Sequence, residues 1–196
     1  MFESLTAAKD DAIVILKADH SKVKDLFEEF ENAGDLRRKK KIVAEAIMEL
    51  KIHAEIEEKL FYPAVRAQVE DEDIMNEADE EHHVAKLLIA ELEQLPATDE
   101  HWEAKFTVLS ENIRHHIKEE EGEMMPKARR LDIDFETLGK RMLAMKQKLK
   151  KNGVPLSAEE KLISRSRGRA DSPAKAAKES YSSSSRASVA KKQRKA

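Results

Sequence analysis

Two segments of the chain, HAEIEEKLFYP and HIKEEEGEMMP, place His53, Glu57, Glu58 and Pro63 in register with His116, Glu120, Glu121 and Pro126, each pair 63 residues apart. Only 7 His and 5 Pro occur among the 196 residues, so their joint recurrence marks an internal duplication. Each unit follows an earlier histidine. His20 stands 33 residues before His53, and the adjacent His82 and His83 stand 34 and 33 before His116. Any fold for this chain must build two similar units, each a histidine-bearing segment followed by an H-x-x-x-E segment.

The apolar pattern makes these segments helical. From Ala12 to Asn32, residues Ile13, Leu16, Val23, Leu26, Phe27 and Phe30 recur at spacings of three, four and seven, the signature of one buried helical face. Asp10 or Asp11 suits the cap at its start and Gly34 the turn at its end. A second stripe, from about Asp35, runs through Ile42, Ala46, Leu50, His53, Ile56, Glu57 and Leu60, and Pro63 is expected to end or kink it. The third, about Asp71 to Leu95, carries Ile74, Ala78, His82, Ala85, Leu88, Ile89 and Leu92. The fourth, from Thr98 or Asp99, carries Phe106, Leu109, Ile113, His116, Glu120 and Met124 before Pro126. Short connections between four long helices imply antiparallel neighbours and an all-α, up-down-up-down four-helix bundle. Asp134 caps a fifth, shorter pattern through Phe135, Leu138, Met142, Met145 and Leu149, expected on the outside or end of the bundle.

Charge divides the chain. From Lys151 onward there are 12 Lys/Arg against 4 Asp/Glu, which leaves 24 against 35 before it. The expected organisation is a helical bundle with its fifth helix over residues 1–150 and a basic, Ser/Ala/Lys/Arg-rich disordered tail over 151–196, with one helical turn at Ser157 to Leu162. Such a tail holds too little apolar surface to fold alone. The plainer reading of the tail is solvated disorder; the second is a contact of its cations with nucleic acid or an acidic partner, which would be salt-dependent. No stretch reaches the ~18 apolar residues that a membrane span needs, and the first twenty residues lack a basic start followed by an apolar run. The chain therefore reads as cytoplasmic, without a membrane partner.

Residues four apart on a helix lie one turn apart and about 40° around the axis. His53 and Glu57 thus reach into one gap between helices, as do His116 and Glu120, whereas Glu58 and Glu121 turn toward the flank, as hydrogen-bond partners of the inward groups or as surface charges. His20 sets the register for the third helix. Apolar residues follow it at plus three, six, seven and ten, and they follow His82 at the same offsets, while His83 falls on the line of Asp79, Lys86 and Ala90. His82 is the inward candidate and His83 the alternative. Burying four histidines and two carboxylates unpaired is costly, and a pair of divalent or trivalent ions removes that cost. With no cysteine in the chain, thiolate sites, disulfides and iron–sulfur clusters are excluded, and imidazole with carboxylate oxygen suits iron better than manganese or zinc. The candidate ligands are His20, His53, Glu57, His82, His116 and Glu120, holding two non-haem iron ions with carboxylate and oxo or hydroxo bridges. Four protein donors per ion would leave positions for water, a bridging oxygen or dioxygen.

At these residues the sequence resembles the hemerythrin HHE cation-binding family, over roughly Ala12 to Arg130. The resemblance implies a four-helix bundle with a non-haem di-iron centre. The invertebrate oxygen carriers of that family use two histidines four apart on the third helix, where this chain has Ala78 and Lys86 four from His82. They also place an aspartate five residues after the last histidine, where this chain has Glu121. Bacterial members, which the chain resembles more, are implicated in handling iron, dioxygen, peroxide or nitric oxide, in sensing or in stress responses. Catalase-like peroxide chemistry is the enzymatic version of that expectation, though no motif requires turnover. The alternative is a module that sequesters iron while its tail docks on nucleic acid or an acidic partner.

Plainer readings attach to the remaining residues. His101 and His115 read as surface groups or as neighbours of the ligands. Glu80-x-x-His83 has the spacing of ferritin-like di-iron bundles but occurs once where two copies are needed. Met124, Met125, Met142 and Met145 read as core, and Trp102 as the cover of a bundle end.

Overall fold

The structure, a computed structural model, describes residues 9–69 and 72–170, the last four of these by backbone only. Among the described residues all regular structure is helical. Helix α1 (Ala12–Asn32) starts where the Asp11 carboxylate accepts from the N–H groups of Ile13 and Val14, at 2.9 and 3.2 Å. Those donors have no partner within the helix, so the cap satisfies them. The same carboxylate takes two hydrogen bonds of 2.6 Å from Arg129. Helix α2 (Leu36–Ile56) starts in the same way on Asp35, which accepts from Arg38 N–H.

At Pro63 the chain neither stops nor breaks. A π-turn, Glu57–Phe61, joins α2 to α3 (Tyr62–Arg66). Proline lacks an N–H, and its ring presses on the carbonyl four residues back. Widening the turn makes room, and the Tyr62 N–H donates to the Glu57 carbonyl five residues earlier. The duplicated unit repeats the device. After α4 (Glu72–Gln94), α5 (Trp102–Glu119) passes through a second π-turn, Glu120–Met124, into α6 (Met125–Ala128), and the Met125 N–H donates to the Glu120 carbonyl ahead of Pro126. Helix α5 begins later than its sequence pattern suggests because Asp99 closes a turn instead, accepting from His101 N–H at 2.9 Å.

The long helices form a ring in which α1 packs on α2 and α5, and α4 packs on α5 and α2. The core has two apolar layers. One gathers Val23, Phe27, Phe30, Ile89, Trp102, Phe106 and Leu109, and the other Leu16, Ile56, Phe61, Met75, Met124, Met125 and Met142. His20, one turn after Leu16 and just before Val23, lies in the belt between them, so the polar belt is sealed by hydrocarbon above and below.

Helix α7 (Phe135–Asn152), capped by Asp134 and closed by Gly153 at φ +83°, packs across α1 and α2 rather than joining the ring. Its approach is close at Gly139, where an added Cβ would come within 2.8 Å of the Ala12 nitrogen and nearer still to the Asp10 carbonyl oxygen. A second compact unit begins at Ser157. There the sequence reading places one helical turn, Ser157 to Leu162, within the tail, and a longer helix, α8, spans Ala158–Ala170. Its start is a reciprocal cap, in which Glu160 N–H donates to Ser157 Oγ at 3.1 Å and Ser157 N–H to Glu160 Oε2 at 2.7 Å. The expected disorder over 171–196 lies outside the described residues. No helix among the described residues is long and apolar enough to cross a membrane.

Candidate metal centre

The four long helices each carry one histidine into the belt: His20 on α1, His53 on α2, His82 on α4 and His116 on α5. Glu57 and Glu120 open the two π-turns. All six side chains are buried. His83 is exposed on the outer face of α4, so it is His82 that joins the cluster. The Nε2 atoms of His20 and His53 stand 3.1 Å apart, and those of His82 and His116 3.2 Å apart. Glu57 lies across both pairs, with Oε1 3.1 Å from His53 Nε2 and Oε2 3.4 Å from His82 Nε2. Glu120 Oε2 lies 3.2 Å from His20 Nε2 and 3.6 Å from His116 Nε2.

Each ring is fixed from behind. Nδ1 of His20 faces Glu121 at 2.9 Å, that of His53 faces Asp19 at 3.5 Å, that of His82 faces Glu58 at 2.8 Å and that of His116 faces Glu81 at 2.7 Å. An Nδ1–H that donates outward leaves the Nε2 lone pair directed into the belt, the orientation metal-binding histidines adopt. Glu58 and Glu121, expected on the flank, thus serve rings on other helices. The backing acids carry cations of their own: Lys24 beside Glu121, Lys86 beside Glu58 and Lys146 of α7 beside Asp19.

With protein groups alone, the belt is tense electrostatically. Burial works against a charged His53, yet Glu57 and Asp19 outweigh it and raise its pKa to about 10. His82 is likewise disfavoured by burial and raised to about 9 by Glu57 and Glu58. Burial also works against the Glu57 charge, but His53 and His82 hold its carboxyl well below the usual range. Apart from the inward imidazoles, both oxygens of Glu57 and Oε2 of Glu120 have no hydrogen-bond donor beside them. Buried oxygens so poorly supplied are rare.

The donor set resolves that tension if ions occupy the belt. Ligands about 2.1 Å from a common ion stand about 3.0 Å apart at an octahedral edge and about 3.4 Å apart at a tetrahedral one. The observed separations of 3.1 to 3.6 Å between Nε2 atoms and carboxylate oxygens lie close to these two values. Two donor groups converge, His20, His53, Glu57 and Glu120 in one and Glu57, His82 and His116 in the other. The residues present therefore fit metal cations held on nitrogen and oxygen.

Sequence reasoning missed three elements of the centre. Tyr62 donates from its hydroxyl to Glu120 Oε1 at 2.8 Å and lies 3.3 Å from His82 Nε2. It is fully enclosed, and burial together with the Glu120 and Glu57 charges raises its pKa well above 10. On a regular α-helix, five residues beyond Glu57 would point it about 140° away, at about 100° per residue. The extra residue of the π-turn takes up that angle. Asp19 and Glu81 were also missed, although each directly precedes an inward histidine and so repeats with it. His101 and Glu80 are exposed, in keeping with a plain surface reading.

Comparison with known proteins bears on this centre. Residues 11–128 match the Hemerythrin HHE cation binding domain. The crystal structure of a hemerythrin HHE cation binding domain-containing protein from Mycobacterium kansasii superposes with a TM-score of 0.61 at 26% identity, covering 78% of this chain and 98% of that one. A protein named DNA nickase from Nostoc sp. is 25% identical over 107 residues, which is 55% of this chain but only 30% of that protein's length.

Proposed function

Because the chain belongs to the hemerythrin HHE cation-binding domain family, we propose that it holds two non-haem iron ions on His20, His53, Glu57, His82, His116 and Glu120, and that it binds or reacts with dioxygen, peroxide or nitric oxide. The observation that supports this is the convergence of four Nε2 atoms on two under-bonded carboxylates, with every Nδ1 facing an outer acid. Bound iron would supply a change of oxidation state and coordination positions that the protein donors leave open.

The protein groups divide the work of holding such a pair. Glu57 presents one oxygen to each histidine pair and is suited to span two ions. Glu120 presents Oε2 to both halves while Tyr62 keeps its Oε1 occupied. The Tyr62 hydroxyl retains its proton because burial and two acids oppose its loss. The matching residue in the second unit is Met125, which has no hydroxyl, so the second unit does not repeat this donor. Apolar layers on either side exclude bulk water and strengthen each charge interaction inside.

Elemental analysis with ultraviolet–visible spectroscopy tests the reading. Iron-loaded wild type should hold two irons per chain and absorb in the near ultraviolet, and the His53→Ala, His116→Ala double variant should lose both. A wild-type chain that takes up no iron under anaerobic loading would refute the centre. Oxygen evolution from peroxide separates catalase-like turnover from ligand binding alone. No specific observation favours the alternative of iron sequestration with the basic C-terminal stretch docked on nucleic acid or an acidic partner. The relative named DNA nickase shares too little of its length to bring nicking to this chain.

A further inference from the structure

The network behind the inward histidines repeats with the duplicated sequence. Asp19 and Glu81 precede His20 and His82, and they serve the Nδ1 atoms of His53 and His116. Glu58 and Glu121 follow Glu57 and Glu120, and they serve His82 and His20. Lys24 and Lys86, four residues after His20 and His82, pair with Glu121 and Glu58. At one place the repetition fails. Asp19 carries Lys146, brought by α7 where it covers α1 and α2. Among the described residues, the ion partners of Glu81 are His115 and His116, and no lysine stands opposite it.

What replaces the lysine is a set of metal donors. His115 Nε2 lies 3.6 Å from Glu81 Oε1 and 3.2 Å from Glu119 Oε1. In the first unit the positions of His115 and Glu119 are held by Ile52 and Ile56, both buried. The second unit has therefore exchanged two core isoleucines for an imidazole and a carboxylate at the H-x-x-x-E spacing of the inner ligands, one residue earlier on the same helix. A ligand atom from each of Glu81, His115 and Glu119 lies within 4.8 Å of the others.

We propose that Glu81, His115 and Glu119 form an outer site for a divalent transition-metal cation, at the place where Lys146 stands in the other half. Two carboxylates leave a cation of charge two neutralised, and the imidazole favours Mn2+, Fe2+ or Zn2+ over Ca2+ and Mg2+. The His115 side chain is 61% exposed, so an ion reaches it directly from solvent and completes its shell with water. Glu81 also accepts from His116 Nδ1 at 2.7 Å, and through this shared carboxylate the outer ion adjoins the inner centre. The site itself does not depend on the inner centre holding iron.

The test is a Mn2+ titration of the iron-loaded full-length protein at near-neutral pH. Binding is read as loss of the electron paramagnetic resonance signal of free aqueous Mn2+. Wild type should take up one Mn2+ per chain beyond its iron. His115→Ala and Glu119→Gln should each abolish that uptake while retaining iron content and melting temperature, since His115 is exposed, Glu119 is half-buried and neither joins the inner cluster. Wild type without uptake, or uptake that survives both substitutions, would overturn the outer site. If the inner centre takes no iron, the same titration of the His53→Ala, His116→Ala chain decides separately: one Mn2+ bound, and lost on adding His115→Ala, supports the outer site, and none refutes it.

Discussion

Loading the inner centre with Fe2+ at pH 7 should expel about two protons per chain. His53 and His82 have pKa values raised to about 10 and about 9 by the carboxylates around them, so both are imidazolium in the metal-free protein. A metal ion needs the neutral ring. At 1.36 kcal/mol per pKa unit, removing these protons at pH 7 costs about 4 kcal/mol at His53 and about 3 kcal/mol at His82. Apparent affinity should therefore climb by about two decades per pH unit between pH 7 and 9, with two protons released per chain. Isothermal titration calorimetry in buffers of different ionisation enthalpy counts these protons. His53→Gln should remove one of them. The sign for stability runs the other way. A histidine whose pKa is raised on folding stabilises fully below its unfolded value of 6.5 and loses that contribution as pH rises through about 9 to 10. The metal-free protein should melt at progressively lower temperature as pH rises through that window. A proton count near zero, with a flat melting temperature over the same window, would refute imidazolium in the belt.

Other perturbations probe the scaffold and the rings. Gly139→Ala drives a methyl group into the Asp10 carbonyl and should lower stability by about 1–3 kcal/mol in denaturant unfolding, by the usual cost of overpacking. Asp19→Ala removes the acid behind His53 and leaves Lys146 without it. Chelator competition should show iron affinity falling by about 10- to 100-fold, the usual cost of losing such a partner. Tyr62→Phe should keep the iron but cost the metal-free protein about 1.5–3 kcal/mol, because a hydrogen bond to a buried carboxylate is lost. Deleting 171–196 should leave iron content unchanged, and a DNA mobility shift that the deletion abolishes would identify those residues as the nucleic-acid contact.

Several features were legible in the chain because periodicity and spacing carry them. Asp11, Asp35 and Asp134 cap the helices that their positions suggest, since an acceptor side chain before a run of unpaired N–H groups is a local event. The apolar register also identified the inward side of the third helix, where His82 is buried and His83 is not. Other features were hidden because they are not local. Pro63 reads as a helix end or kink and Pro126 as the limit of the fourth helix, whereas at each the chain stays helical through a π-turn, and the first of these turns aims Tyr62 at Glu120. Ser157 and Glu160 form a reciprocal cap where the sequence suggests one helical turn, but the helix runs on to Ala170, in a stretch whose composition reads as tail.

The sequence by itself determined that the chain is a helical bundle and that histidines and glutamates recur in it at metal-ligand spacing, because helical period and duplication are written in one dimension. Only the tertiary structure decided which acid stands behind which ring. Asp19 serves His53 and Glu121 serves His20 from other helices, and Lys146 arrives from α7, 127 residues after the Asp19 it meets. Such pairings depend on how helices are rotated and packed against one another, which the spacing within each helix does not specify.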